Sequence, residues 1–132
     1  MPEKSVYDTR FFIEYFYSDD ADFAKRLKED LRKTGTRIVS ALTVHETYRA
    51  DLEKEGRAVA NLRAETMRRD FIVADVDFET AVKSAELRSK HRLPMGDSVI
   101  AATAQIHMCP LVSDDPHFQR IENIKTRWFS KR

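Results

Sequence analysis

Short apolar runs alternate with longer segments of helical periodicity along the chain. Phe23, Leu27 and Leu31 recur every four positions with charged residues between them, which predicts an amphipathic helix. Such helical segments separate short runs predicted to be strands, which are 5–7, 37–40, 71–74, 111–113 and 124–126. This alternation favours a three-layer α/β/α architecture, in which helices cover both faces of a mostly parallel central sheet.

One predicted helix has no polar face. From 99 to 104 nearly every residue is apolar or small, so we expect this helix in the core. A turn predicted at 94–97 places Asp97 at its start. Another helix is predicted to open at Thr43, which matches the capping-box pattern with Glu46, and Gly56 is predicted to separate it from the next helix.

The length predicts one domain over residues 1–132, because it is close to the commonest domain size. Charged residues make up 34% and hydrophobic residues 42%, which excludes collagen-like and disordered chains. The single cysteine, Cys109, excludes an intramolecular disulfide and a CxxC zinc site. We expect no membrane span, because no apolar run reaches about 18 residues. The first ten residues lack an apolar signal core, so we expect a cytoplasmic protein.

Four carboxylates fall where a parallel sheet would bring them together. Asp8 and Asp115 follow predicted strands, Glu46 follows the second strand, and Asp97 opens the buried helix. Ligands of parallel sheets bind at the carboxyl ends of the strands. Two carboxylates about 4 Å apart repel by roughly 4 kcal/mol at an effective dielectric near 20, and a divalent cation would remove this repulsion. The pattern therefore indicates an all-oxygen Mg²⁺ or Mn²⁺ site.

Helix capping is the alternative explanation for each of these acids. Asp8, Asp97 and Asp115 all precede predicted helices, and Asp is a favoured N-cap. Glu46 completes the capping box with Thr43. A non-catalytic α/β binding module therefore stays open, although capping does not explain why all four acids fall at one edge of the sheet.

Other motifs are absent or weak. The sequence contains no P-loop, GxGxxG or GxSxG motif, and 45–49 is not HExxH because its last residue is Arg49. The DVD sequence at 75–77 is interpreted as a solvated turn with a helix cap. The histidines His91, His107 and His117 are interpreted as surface or core residues rather than ligands. Arg10 and Arg49 stand close to predicted ligands and are candidates for contact with phosphate.

Four segments resemble the acidic motifs of PIN domains, and more closely those of VapC-type toxin ribonucleases. They are VYDT at 6–9, TVHE at 43–46, GDSVIAATA at 96–104 and LVSDDPHF at 111–118. The resemblance implies a Rossmann-like fold and an acidic tetrad of Asp8, Glu46, Asp97 and Asp115. It also implies that Ser113 braces the site, and Thr9 follows the first acid as in the family pattern. Asp114 departs from the pattern, since the family often has a basic residue there, and it is an alternative to Asp115.

The resemblance implies an Mg²⁺- or Mn²⁺-dependent endoribonuclease, the toxin of a VapBC-type pair. Asp8, Asp97 and Asp115 are then the expected metal ligands, while Glu46 orients a water or acts as a general base. Its expected partners are an RNA substrate, a cognate antitoxin and a second copy of the chain. No base-reading motif is visible, so RNA shape and accessible single strand are expected to set specificity. A PIN-type nuclease of RNA processing or of structured DNA is a further alternative.

Overall fold

The computed structural model describes residues 4–129 and forms strands and helices in alternation. The strands are β1 (Lys4–Tyr7), β2 (Thr36–Ser40), β3 (Ile72–Ala74), β4 (Leu111–Val112) and β5 (Thr126–Arg127). The helices are α1 (Thr9–Tyr17), α2 (Ala21–Lys33), α3 (Ala41–Lys54), α4 (Arg57–Asp70), α5 (Phe78–His91), α6 (Met95–His107) and α7 (Pro116–Gln119). That residues 1–132 form one domain stays a prediction.

All five strands belong to one parallel sheet with the order β3-β2-β1-β4-β5. The chain builds outward from β1 to β3 on one side and then crosses back to place β4 and β5 on the other. The direction of the strand order therefore reverses at β1. The carboxyl end of β1 lies at the crevice where ligands of such sheets bind.

Alternate strand residues enter two separate cores, one on each face of the sheet. Val6, Ile38 and Leu111 pack with α6 residues such as Ile100 and Ala104. Their neighbours Tyr7, Val39 and Val112 pack on the opposite face with Phe11, Phe12, Phe23, Leu27 and Met67. Because side chains alternate along a strand, two cores require helices on both faces. The predicted three-layer fold with a mostly parallel sheet is confirmed, and so is the predicted burial of 99–104 in the core.

Two of the helix caps predicted around the four acids are wrong. Helix α3 begins three residues earlier than predicted, because Ser40 at the end of β2 caps it through the N–H of Leu42, so Glu46 lies in its second turn. Helix α6 begins at Met95 after Pro94, so 95–97 are helical and Asp97 is the third helical residue rather than the cap. Asp8 and Asp115 do cap α1 and α7, as predicted.

The remaining differences are small. The last strand is 126–127 rather than 124–126, and Asp77 caps α5 in the 75–77 segment, as interpreted from the sequence. Among residues 4–129 no helix is both long and apolar enough to cross a membrane.

Candidate active site

A cavity of about 680 Å³ opens at the carboxyl edge of the sheet, between the starts of α1, α3 and α6. Its lining includes all four predicted acids: Asp8, Glu46, Asp97 and Asp115. Thr9, Arg10 and Arg49 also line it. Residues that are far apart in sequence thus meet here, because parallel strands end at a common edge.

Asp8 is held in a fixed orientation at the base of the cavity. Its Oδ2 accepts a 2.5 Å hydrogen bond from the Ser113 hydroxyl, and its Oδ1 accepts one of 2.7 Å from the Thr9 N–H. The same Ser113 oxygen accepts a hydrogen bond from the Asp115 N–H at 3.0 Å, which ties the end of β4 to Asp8. Burial, together with the nearby charges of Asp97 and Asp115, raises the pKa of Asp8 to about 6, although the hydrogen bonds from Ser113 and Thr9 act to lower it.

Glu46 reaches the cavity from the second turn of α3. The Thr9 hydroxyl donates a 2.6 Å hydrogen bond to its Oε1. Its Oε2 lies against the first turn of α6, where a Cβ on Gly96 would stand only 3.0 Å away. Gly96 therefore leaves the space in which the Glu46 carboxylate sits.

Asp97 and Asp115 converge on His117. The Nδ1 atom of His117 lies 2.9 Å from Asp97 Oδ2 and 2.9 Å from Asp115 Oδ1. This nitrogen is buried, and neither approach has the geometry of a hydrogen bond. Burial raises the pKa of Asp97, and the charge of Asp115 raises it further, while His117 acts in the opposite direction.

These three side chains form a group that fits a cation. One ligand atom from each of Asp97, Asp115 and His117 lies within 4.8 Å of the others. Asp8 lines the same cavity as Asp97 and Asp115. Carboxylate oxygens are the ligand atoms that Mg²⁺ and Mn²⁺ prefer, and the buried Nδ1 of His117, close to both aspartates, is a further possible ligand atom.

Sequence reasoning missed His117, which it assigned to the surface or core. Its contact with Asp97 joins α7 to α6, and the hydrophobic periodicity of the sequence does not predict such a contact. The available signal was local. Pro116 at the first helical position fixes the turn after Asp115, and the N–H of His117 donates to Asp115 Oδ1 at 2.9 Å.

Both arginines predicted to contact phosphate lie at the rim of the cavity, and both have acidic partners. Arg10 donates from Nε and Nη2 to the two carboxylate oxygens of Asp114, at 2.7 and 3.1 Å. The Nε of Arg49 is 3.4 Å from Glu53 Oε2, with both side chains mostly exposed. Asp114 therefore engages Arg10, whereas Asp115 is the residue of this pair that lines the cavity.

Comparison with known proteins gives a family and a fold. The sequence model of the PIN domain family matches residues 5–124. Comparison with the curated proteins finds no match.

Several solved structures are similar to this one. The VapBC2 complex of Rickettsia felis bound to a promoter DNA fragment contains a chain that aligns with a TM-score of 0.80 and 14% identity, over 96% of this chain and 99% of that one. The DNA-bound VapBC of Salmonella typhimurium gives 0.78 and 18%, over 97% and 98%. The sarcin–ricin-loop-cleaving toxin VapC20 of Mycobacterium tuberculosis gives 0.74 and 20%, over 88% and 93%. At these identities the similarity establishes a shared fold.

Proposed function

Because the chain belongs to the PIN domain family, we propose that it is a metal-dependent endoribonuclease of the VapC type. The observation that carries this proposal is the convergence of Asp8, Glu46, Asp97 and Asp115 on one cavity. Glu46 and Asp97 cap no helix, so capping does not account for their positions. A purely structural role is therefore a poor explanation for half of the cluster.

Asp8, Asp97 and Asp115 are the proposed ligands for Mg²⁺ or Mn²⁺, with His117 directly beside them. A bound divalent ion supplies a water of lowered pKa and neutralises charge on the phosphate oxygens. The side chains and backbone around the cavity fix the orientation of the carboxylates. Ser113 and the Thr9 N–H fix Asp8, as the hydrogen bonds at 2.5 and 2.7 Å support.

Glu46 is the proposed general base. Its Oε1 is held by the Thr9 hydroxyl, which leaves Oε2 to accept the proton of the attacking water. Thr9 thereby positions two acids at once, Asp8 through its backbone N–H and Glu46 through its side chain. The hydrolysis that follows cleaves a phosphodiester bond of RNA.

The proposed role is that of a toxin that acts on RNA in the cytoplasm and is held inactive by a cognate antitoxin. Two of the similar structures are VapBC complexes, which supports an antitoxin partner. Another similar protein, VapC20, cleaves the sarcin–ricin loop, so an exposed loop of a structured RNA is a candidate target. A homodimer is also part of the proposal, and the mass of the purified protein by light scattering tests it.

Cleavage of RNA with and without metal tests the proposed activity. Single-stranded RNA, transfer RNA and flap DNA are incubated with Mn²⁺, Mg²⁺ or excess EDTA. We expect cleavage of RNA with either metal and none in EDTA. Asp97→Asn and Glu46→Gln should lower cleavage by orders of magnitude, whereas Asp77→Asn, at the cap of α5, should not.

Three outcomes would count against the proposal. Full activity in EDTA would exclude metal dependence. Cleavage of flap DNA alone would favour the alternative of a DNA-directed PIN nuclease. Absence of both cleavage and Mn²⁺ binding would leave a non-catalytic α/β module.

A further inference from the structure

A second groove, of about 590 Å³, continues the active-site cavity. Val76, Met95 and Val99 line both, so the two spaces meet at these residues. One wall of the groove is a face of α5, whose lining residues recur at helical spacing, together with Arg92 just after the helix: Ala81, Ser84, Ala85, Arg88, Ser89 and Arg92. The other wall is the first turn of α6, which also carries Asp97. The groove therefore leads directly to the acid cluster.

The floor of the groove is fixed by buried hydrogen bonds. The hydroxyls of Ser84 on α5 and Ser98 on α6 lie 2.9 Å apart. The Ser98 hydroxyl also lies 2.6 Å from the carbonyl oxygen of Met95, which accepts its hydrogen bond. These contacts tie the two helices together beneath the groove, so its shape is built into the fold.

Arg88 and Arg92 give the groove a positive charge, and neither arginine has an acidic partner in the described part of the chain. Both side chains are exposed, and within 4–129 neither makes an ion pair or a side-chain hydrogen bond. By contrast, Arg10 at the rim of the cavity is held by Asp114. Among the arginines that line the cavity or the groove, Arg88 and Arg92 are therefore the two without an acidic partner in the described part of the chain.

Apolar surface lies open where the groove meets the cavity. Met95 is 65% exposed and Val76 is 45% exposed. A ligand that combines negative charge with flat apolar faces would match both this surface and the two arginines. Single-stranded nucleic acid has this chemistry, since its phosphates are anionic and its bases are exposed.

We infer that the groove between α5 and α6 binds the RNA strand next to the scissile phosphate. Arg88 and Arg92 contact phosphates of the strand, and Val76 and Met95 support a base. The inference rests on the proposed ribonuclease function and specifies how the substrate reaches the acids. It places the phosphate contacts at Arg88 and Arg92 rather than at Arg10 and Arg49, both of which have acidic partners.

Binding of a fluorescein-labelled oligouridylate, measured in EDTA over a range of salt, tests the inference. Neutralising phosphates releases counterions, so each of Arg88→Ala and Arg92→Ala should lower the slope of log affinity against log salt by about 0.7. In cleavage assays with Mn²⁺ each should raise KM several-fold, more than it lowers kcat. Arg57→Ala, an exposed arginine at the start of α4, is the matched control and should change neither.

Ala85→Phe tests the groove without changing charge. Ala85 is exposed within it, so a phenyl ring would fill the space a base requires. We expect weaker oligouridylate binding and a higher KM with an unchanged salt slope.

Each other outcome has a definite meaning. If the unmodified chain cleaves RNA but all three groove variants keep its KM and salt slope, the inference is wrong and the proposed function stands. If the arginine variants change the mass of the protein in light scattering and leave RNA affinity unchanged, the groove belongs to a contact with a second copy. If the unmodified chain neither binds nor cleaves RNA, both proposals fail.

Discussion

Replacing Asp8 by Asn should stabilise the metal-free protein at neutral pH. Burial, with the charges of Asp97 and Asp115, raises the pKa of Asp8 from 3.8 to about 6. At 1.36 kcal/mol per pKa unit, the ionised carboxylate destabilises the folded protein by about 3 kcal/mol relative to the unfolded chain. Asn keeps an oxygen for the Thr9 N–H but turns an amide toward the Ser113 hydroxyl, which costs about 1 kcal/mol. The expected net gain near pH 8 is therefore on the order of 2 kcal/mol.

This gain should shrink as the pH falls. Because the pKa of Asp8 is higher in the folded protein than in the unfolded chain, the folded protein binds a proton first. The unmodified protein therefore gains stability relative to Asp8→Asn as the pH drops through about 6. With a pKa of 3.8 in the unfolded chain and about 6 in the folded protein, the difference in free energy of unfolding between the two proteins should narrow by about 1.4 kcal/mol between about pH 8 and about pH 5.

Urea denaturation of both proteins in EDTA, at several pH values, measures the effect. Equal m-values are needed for the comparison. Asp77→Asn is the control, because hydrogen bonds from Thr80 lower the pKa of Asp77 and its pH dependence should have the opposite sign. A difference between Asp8→Asn and the unmodified protein that does not vary with pH would refute the argument.

Three further perturbations follow from individual contacts. Gly96→Ala should lower RNA cleavage with little loss of stability, because its Cβ would stand 3.0 Å from the Glu46 carboxylate; cleavage rates and melting curves measure the two effects. Asp114→Asn should release Arg10 and steepen the salt dependence of RNA binding, which titrations at increasing salt would detect. Asp51→Asn should lower the free energy of unfolding by about 1–3 kcal/mol, because Tyr17 and Arg63 both donate hydrogen bonds to this buried carboxylate; urea denaturation measures the loss.

The fold could be predicted because its signals are local and repeated. Each run predicted to be a strand overlaps an observed strand, and the predicted amphipathic segment at 23–31 lies in a helix that packs on one face of the sheet. The start of α3 could not be predicted, because Ser40 and Thr43 are both plausible caps. The choice depends on the ladder between β2 and β3, in which Ser40 pairs with Ala74 and ends the strand. That pairing is a tertiary contact and leaves no mark on the local sequence.

In the candidate site, too, the sequence predicts some positions but not the contacts between side chains. The positions of Asp8 and Asp115 were predictable because Asp8 directly follows β1 and Asp115 lies three residues after β4, and parallel strands end at a common edge. The contacts among the acids were not predictable, since His117 meets Asp97 only when α7 packs beside α6. Nor could the sequence distinguish Arg10, which is engaged by an aspartate, from Arg88, which is not.

Capping and the proposed chemistry coincide at two of the four acids for a physical reason. Where a strand of this sheet ends and a helix begins, backbone N–H groups without helical partners point toward the cavity. Asp8 and Asp115 accept hydrogen bonds from such groups, which fix their orientation and offset part of the cost of placing negative charge there. Glu46 and Asp97 have no such donors; Glu46 depends on the Thr9 hydroxyl, and Asp97 lies against His117. The cluster therefore combines two carboxylates fixed by the backbone with two positioned by side chains, so its geometry depends on tertiary contacts that capping alone does not require.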